Sequence, residues 1–201
     1  MFKLLFFCFI AAAALAIAYL AARAAYKVLK IKLDAYFEFR GTHVVVCPET
    51  RKYVAVEVDA AHAAVTANDE VAELRLRSCT RWPERQDCDQ DCVYQIANAP
   101  EDCAVRTMLA HFYEGRPCAL CHKPIGELRW DAHKPALLRP ADRRTFECRD
   151  LPAEDLPFAL GTYLPVCWDC HIAESFRREH PELVTVRDSK AAACGHVSLT
   201  T

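Results

Sequence analysis

The 201-residue chain lacks the short sequences by which common catalytic chemistries can be read. Its five glycines form no phosphate loop, there is no nucleophile elbow, and no His-Glu-x-x-His run offers two imidazoles and a base to a catalytic zinc. A basic stripe is missing as well. The 25 Lys and Arg are interspersed with 27 Asp and Glu, and a formal net charge of -2 leaves no electrostatic footprint for nucleic acid. Acid pairs such as Glu154-Asp155 lie in a Pro-rich stretch and read as solvated charge. These absences turn the reading away from phosphoryl transfer, acyl transfer and nucleic-acid binding, and no catalytic residues are assigned.

What the chain has instead is cysteine, twelve of them, and one long apolar run. From Leu4 to Ala22 no residue is charged. At about 1.5 Å per residue such a run approaches the ~30 Å hydrocarbon core of a bilayer. Ala14-Leu15-Ala16 and Ala16-Ile17-Ala18 fit the small-x-small pattern of a cleaved signal peptide. The charges speak for an anchor: Lys3 alone precedes the run, whereas Arg23, Lys27, Lys30 and Lys32 follow it. A secretory signal carries its positive charge first, and the richer flank stays in the cytoplasm. The expectation is a single-pass membrane protein with an uncleaved helix over residues 1–33 and a cytoplasmic carboxy-terminal domain, in which cysteines stay reduced and serve as metal ligands.

After the anchor the reading is α+β: a small Cys-rich domain of β-hairpins and helices. Tyr36, Phe37 and Phe39 lead by alternation into a strand at His43-Val44-Val45-Val46-Cys47, and Tyr53, Val54, Val56 and Val58 return from a turn at 48–52. Asp59 caps a short helix, and Val71, Leu74 and Leu76 suggest a third strand ending at Cys79. The polar stretch from Cys79 to Cys92 needs a metal to order it. Within it, Trp82 in Arg81-Trp82-Pro83-Glu84-Arg85 is either a partner contact or a cover for the metal loop. Helices are expected near Cys92–Ala97 and over 101–114, the latter with Val105, Met108, Leu109 and Phe112 as a core stripe. Ile125–Trp130 and His133–Leu138 read as arms of a second hairpin, 140–157 as an insertion, and Cys167 onwards as a helix with Trp168, Ile172 and Phe176 facing inwards. This gives a β-hairpin and Cys-rich subdomain at 34–99, a metal-binding subdomain at 100–186 and a loose tail at 187–201.

Two Cys-x-x-Cys pairs organise the second half: Cys118-Ala119-Leu120-Cys121-His122 and Cys167-Trp168-Asp169-Cys170-His171. Each such turn brings two thiolates to one ion, so together they complete a tetrahedral S4 site of the kind zinc takes. Each is also a formal Cys-x-x-Cys-His haem attachment sequence, with His122 and His171 as proximal ligands and His111, His133, His180 or His196 as second axial ligands. Met108, on an apolar helix face, is not such a ligand. That alternative is a membrane-tethered dihaem c-type cytochrome working in electron transfer, and it requires export. A thiol–disulfide enzyme would need a thioredoxin-like βαβ setting, which the sequence does not offer.

Cys118 and Cys121 on a knuckle, then a hairpin, then a helix whose first turn bears Cys167 and Cys170: this order resembles a treble-clef zinc finger over about residues 116–180, with a long insertion before Cys167. The resemblance implies a closed structural zinc site. Cys47, Cys79, Cys88 and Cys92 are expected to converge on a second ion, with zinc or an iron–sulfur cluster as occupant. Cys8 lies in the anchor, and Cys103, Cys148 and Cys194 are expected to be free; His43 and His62 are given no ligand role. The function that follows is a membrane-anchored scaffold or interaction module that docks another protein.

Overall fold

The computed structural model describes residues 2–183 other than 69, 70, 86, 132 and 133. The expected tail at 187–201, Cys194, and two of the candidate axial ligands, His133 and His196, lie outside the described residues.

Helix α1 runs unbroken over Phe2–Phe39. It overrides the alternation that placed Tyr36, Phe37 and Phe39 at the start of a strand. The reason is tertiary: Ala35 and Phe39, one turn apart, are both buried in the first core. Gly41, at φ 99°, then turns the chain into the first strand, a backbone that a Cβ would strain. Ile10–Phe39 is long and apolar enough to cross a membrane. Its far end is not a free tether, because Lys32 Nζ donates to the Val65 carbonyl at 2.7 Å and fastens the helix to the domain.

Strands β1 (Thr42–Val46), β2 (Tyr53–Val58) and β3 (Leu76–Cys79) form an antiparallel sheet in that order. The third strand is shorter than expected; Val71 and Leu74 precede it without pairing in the sheet. Between β2 and β3, helix α2 (Ala60–Thr66) is capped by Asp59, whose Oδ1 accepts from the His62 N–H at 3.0 Å. The other carboxylate oxygen takes Arg75 at 2.7 Å. A cap of this kind contributes about 1 kcal/mol. Val45, Val54, Val56, Ala63 and Leu76 fill the core beneath, together with Cys47, Cys92 and Ile96.

Helices α3 (Val93–Asn98), α4 (Pro100–Cys103) and α5 (Val105–Tyr113) follow. The single helix expected over 101–114 is interrupted at Ala104, which adopts extended geometry and bridges to His43 on β1. Leu109 and Phe112 do lie on the core face, joined by Tyr113, whose hydroxyl donates to the Ala136 carbonyl.

The second sheet has the order β5-β4-β6, with β4 at Ala136–Arg139, β5 at Arg144–Glu147 and β6 at Leu164–Val166. The second hairpin is therefore real but displaced. Its partner strand lies inside the segment read as an insertion, and 125–130 is not a strand. That segment also carries buried Cys148 and Leu156, the latter opening helix α6 (Leu156–Thr162), so it is core and not appendage. Helix α7 (Trp168–Glu179) closes the fold. It is rotated from the expected orientation: His171 is buried, while Ile172 and Phe176 are 47% and 49% exposed. At about 100° per residue, turning 171 inwards carries 172 and 176 outwards and leaves 174 and 175 beside the buried line. This orientation places Cys167 against the 118–123 turn and His171 against Thr145 of β5.

Candidate metal centre

The turn at 118–123 is built by its backbone. Cys118 N–H donates to the Lys123 carbonyl at 2.8 Å, and the His122 N–H returns to the Cys118 carbonyl at 2.9 Å. His122 takes φ 60°, which curls the loop around its own first residue. Two amides are thereby aimed at one sulfur: Leu120 N–H reaches Cys118 Sγ at 3.4 Å, and Cys167 N–H, from across the fold, reaches it at 3.3 Å. The Ala119 N–H donates to the Pro165 carbonyl of β6 at 2.9 Å, fixing the turn against the strand that leads into α7.

Cys167 is the N-cap of α7 and Cys170 lies in its first turn. The ligand atoms of Cys118, Cys121, Cys167 and Cys170 all lie within 4.8 Å of one another, the one such group of metal-ligating side chains among the described residues. Cys121 and Cys167 sulfurs are 3.8 Å apart. A tetrahedral zinc tetrathiolate with bonds of about 2.3 Å has sulfur–sulfur edges of about 3.8 Å. The four cysteines are thus positioned to hold a metal ion, an arrangement compatible with zinc or an iron–sulfur site. Cys118 is fully buried, and Leu138 and Val166 pack against the group.

The electrostatics point the same way. Burial pushes the Cys118 thiol up, but the N–H groups of Cys121, Cys167 and Leu120 outweigh it and bring it down to about 7. Cys167 and Cys170 are raised instead, first by burial and then by neighbouring thiols. One thiolate forms readily and repels the next; a cation placed among them removes the conflict and expels the remaining protons.

Of the histidines proposed as iron ligands, His122 is exposed at the knuckle. His171 is buried with Nδ1 at 3.0 Å from the hydroxyl of Thr145 on β5. Sequence reasoning did not find this contact, which ties helix α7 to the second sheet. No spacing signal connects residues 145 and 171.

The other four candidates sit in the first half. Cys47, Cys79, Cys88 and Cys92 all line one small pocket of about 40 Å³, with Glu49, Arg81 and Trp82 also in its wall. Cys47 and Cys92 are buried and Cys79 and Cys88 half-buried. Burial, followed by the nearby thiols of Cys79, Cys88 and Cys47, pushes Cys92 up to about 11. Arg81 was missed as a sulfur partner: its Nη1 lies 3.3 Å from Cys47 Sγ while it also pairs with Glu49. Trp82 is half-buried, packs against the first core and lines the same pocket. Cys103 is half-buried, and Cys148 is buried 4.0 Å from the Tyr113 hydroxyl. No protein-family model, curated protein or solved structure matches the chain, so its site is read from its own residues.

Proposed function

We propose that this is a single-pass membrane protein whose cytoplasmic domain is held together by a structural zinc ion at Cys118, Cys121, Cys167 and Cys170, and which serves as a docking module for another protein. The observation that carries the reading is the convergence of four thiols within 4.8 Å. Four protein ligands fill a tetrahedral site and leave no position for water, so such a site stabilises a fold and does not activate a nucleophile. The order of turn 118–123, the β4–β5 hairpin and helix α7 supports the treble-clef resemblance, with β6 and α6 as elaborations. The same convergence speaks against two haems, since each would need its own cysteine pair spread along a porphyrin edge, and His171 is engaged by Thr145. Support for docking comes from α7, which presents Ile172 and Phe176 to solvent.

The test is metal analysis and visible absorption of the full-length protein in detergent, from cells competent in haem attachment, with a carboxy-terminal fusion that is active only in the cytoplasm. Colourless protein with zinc that is lost in Cys118→Ser/Cys121→Ser, together with an active fusion, is the expected result. A Soret band that survives denaturation, or an inactive fusion with an exported domain, overturns it.

A further inference from the structure

The hairpin turn between β1 and β2 repeats the metal-binding turn of the second half bond for bond. Cys47 N–H donates to the carbonyl five residues on, Lys52, at 2.8 Å, as Cys118 does to Lys123 at 2.8 Å. The N–H four residues on, from Arg51, returns to the Cys47 carbonyl at 2.7 Å, as His122 does to Cys118 at 2.9 Å. In both turns that fourth residue has positive φ, 56° at Arg51 and 60° at His122. Neither residue is glycine, so the strained conformation is imposed by the turn in both places. The one ligand difference is at the next cysteine position: Thr50 stands where the other turn has Cys121.

A turn lacking its second thiol needs other sulfurs, and the fold delivers three. Gln95 on α3 straddles the edge of β1 beside Cys47, its Nε2 donating to the Val46 carbonyl at 2.7 Å and its Oε1 accepting from the Val46 N–H at 3.0 Å. This draws Cys92, one turn earlier, against Cys47. Gln90 Oε1 accepts from the Leu76 N–H at 2.8 Å, bringing the Cys88–Cys92 segment onto β3, which ends at Cys79. The Gln90 N–H in turn points at Cys88 Sγ, 3.4 Å away, the same residue offset and distance as Leu120 to Cys118 Sγ. Backbone amides aimed at sulfur stabilise a thiolate rather than a thiol.

We propose that Cys47, Cys79, Cys88 and Cys92 form a second tetrathiolate site for a zinc-class divalent ion, with Arg81 as a positioning residue whose guanidinium offsets the negative charge of the complex at Cys47. Binding the ion releases the thiol protons and closes the pocket around it. Because the comparison of turns takes the first site as its template, the inference rests on that site taking a metal, and the test separates the two.

Full-length protein in detergent is stripped of metal, titrated with Co²⁺, and followed by sulfur-to-cobalt charge-transfer absorption; zinc is counted independently by native mass spectrometry. The expected result is two tetrathiolate equivalents, one of which is lost in Cys88→Ser/Cys92→Ser and the other in Cys118→Ser/Cys121→Ser. Arg81→Gln is expected to weaken only the second equivalent, by about tenfold. A single equivalent that disappears in Cys118→Ser/Cys121→Ser overturns the second site. A single equivalent that disappears only in Cys88→Ser/Cys92→Ser overturns the first and retains the second. Since a serine variant that fails to fold would mimic metal loss, the unmutated titration decides alone: a second cobalt equivalent without charge-transfer absorption overturns the proposal, as does a brown iron–sulfur chromophore in the purified protein that Cys88→Ser/Cys92→Ser abolishes.

Discussion

The two cysteine groups differ in how nearly they are assembled before any ion arrives. In the second half the donor atoms already lie within 4.8 Å of one another, and one sulfur pair stands at 3.8 Å. In the first half four thiols share a pocket wall, but they do not form such a close set among the described residues. The tight group comes from two local turns, each supplying two thiols, brought together by the bond from the Ala119 N–H to the Pro165 carbonyl of β6. The loose group takes thiols from two strand ends, a polar loop and the N-cap of α3, so four separate backbone placements must agree. A site that is already assembled spends little of the metal's binding energy on ordering the chain; a site that must close spends more.

The largest effect expected from this difference is at the tight group. Cys118→Ser/Cys170→Ser should remove its ion and unlatch α7 from the second sheet. Structural zinc binding in small domains has apparent free energies of about 10–16 kcal/mol at pH 7, which exceeds the stability of most domains. Loss of the cooperative thermal transition of the second half is the expected outcome, read by near-ultraviolet circular dichroism on the full chain. A variant that melts like the parent would show that packing around Leu138 and Val166 suffices without metal.

Next in size is the order of release. A chelator titrated into the loaded protein should take the ion of the first half before that of the second, giving two separated steps in native mass spectra. Cys88→Ser/Cys92→Ser should remove the early step and leave the late one. Simultaneous release would erase the distinction between an assembled and an unassembled site.

The same difference explains what was legible in the sequence. The tight group was readable because Cys118-x-x-Cys121 and Cys167-x-x-Cys170 each encode a local turn, and local turns survive translation from sequence to structure. Strands β1 and β2 were readable for a similar reason, through β-branched runs on either side of a turn. The orientation of α7 was not, because Trp168, Ile172 and Phe176 suggested one buried face whereas His171 is the residue buried. Phe39 looked like strand and is helix, since its burial with Ala35 depends on a core assembled from residues as far along the chain as Ile96. The hydrogen bonds that make 47–52 a knuckle without a second cysteine have no residue-type signature beyond Cys47-Pro48. Arg81 lies two residues beyond the end of β3 in no recognisable motif, and only the fold brings its guanidinium to Cys47.

The smallest effect separates a buried cysteine with amide donors from one without. Cys118 and Cys148 are both buried, yet Cys118 falls to about 7 while burial pushes Cys148 up to about 12. A thiol raised above its unfolded value of 9.0 binds more protons in the folded state. Its contribution to stability is therefore complete below pH 9, declines as pH rises, and is lost once pH passes the folded value. By linkage roughly 1.4 kcal/mol is lost by pH 10. Cys148→Ala should flatten the fall in stability between pH 8.5 and 10.5 in urea unfolding by about 2 kcal/mol, at the cost of a small cavity beside Tyr113. If the fall persists unchanged, the alkaline sensitivity belongs to the other thiols, and burial without amide donors is not what distinguishes Cys148 from the cysteines that the fold has prepared for a metal.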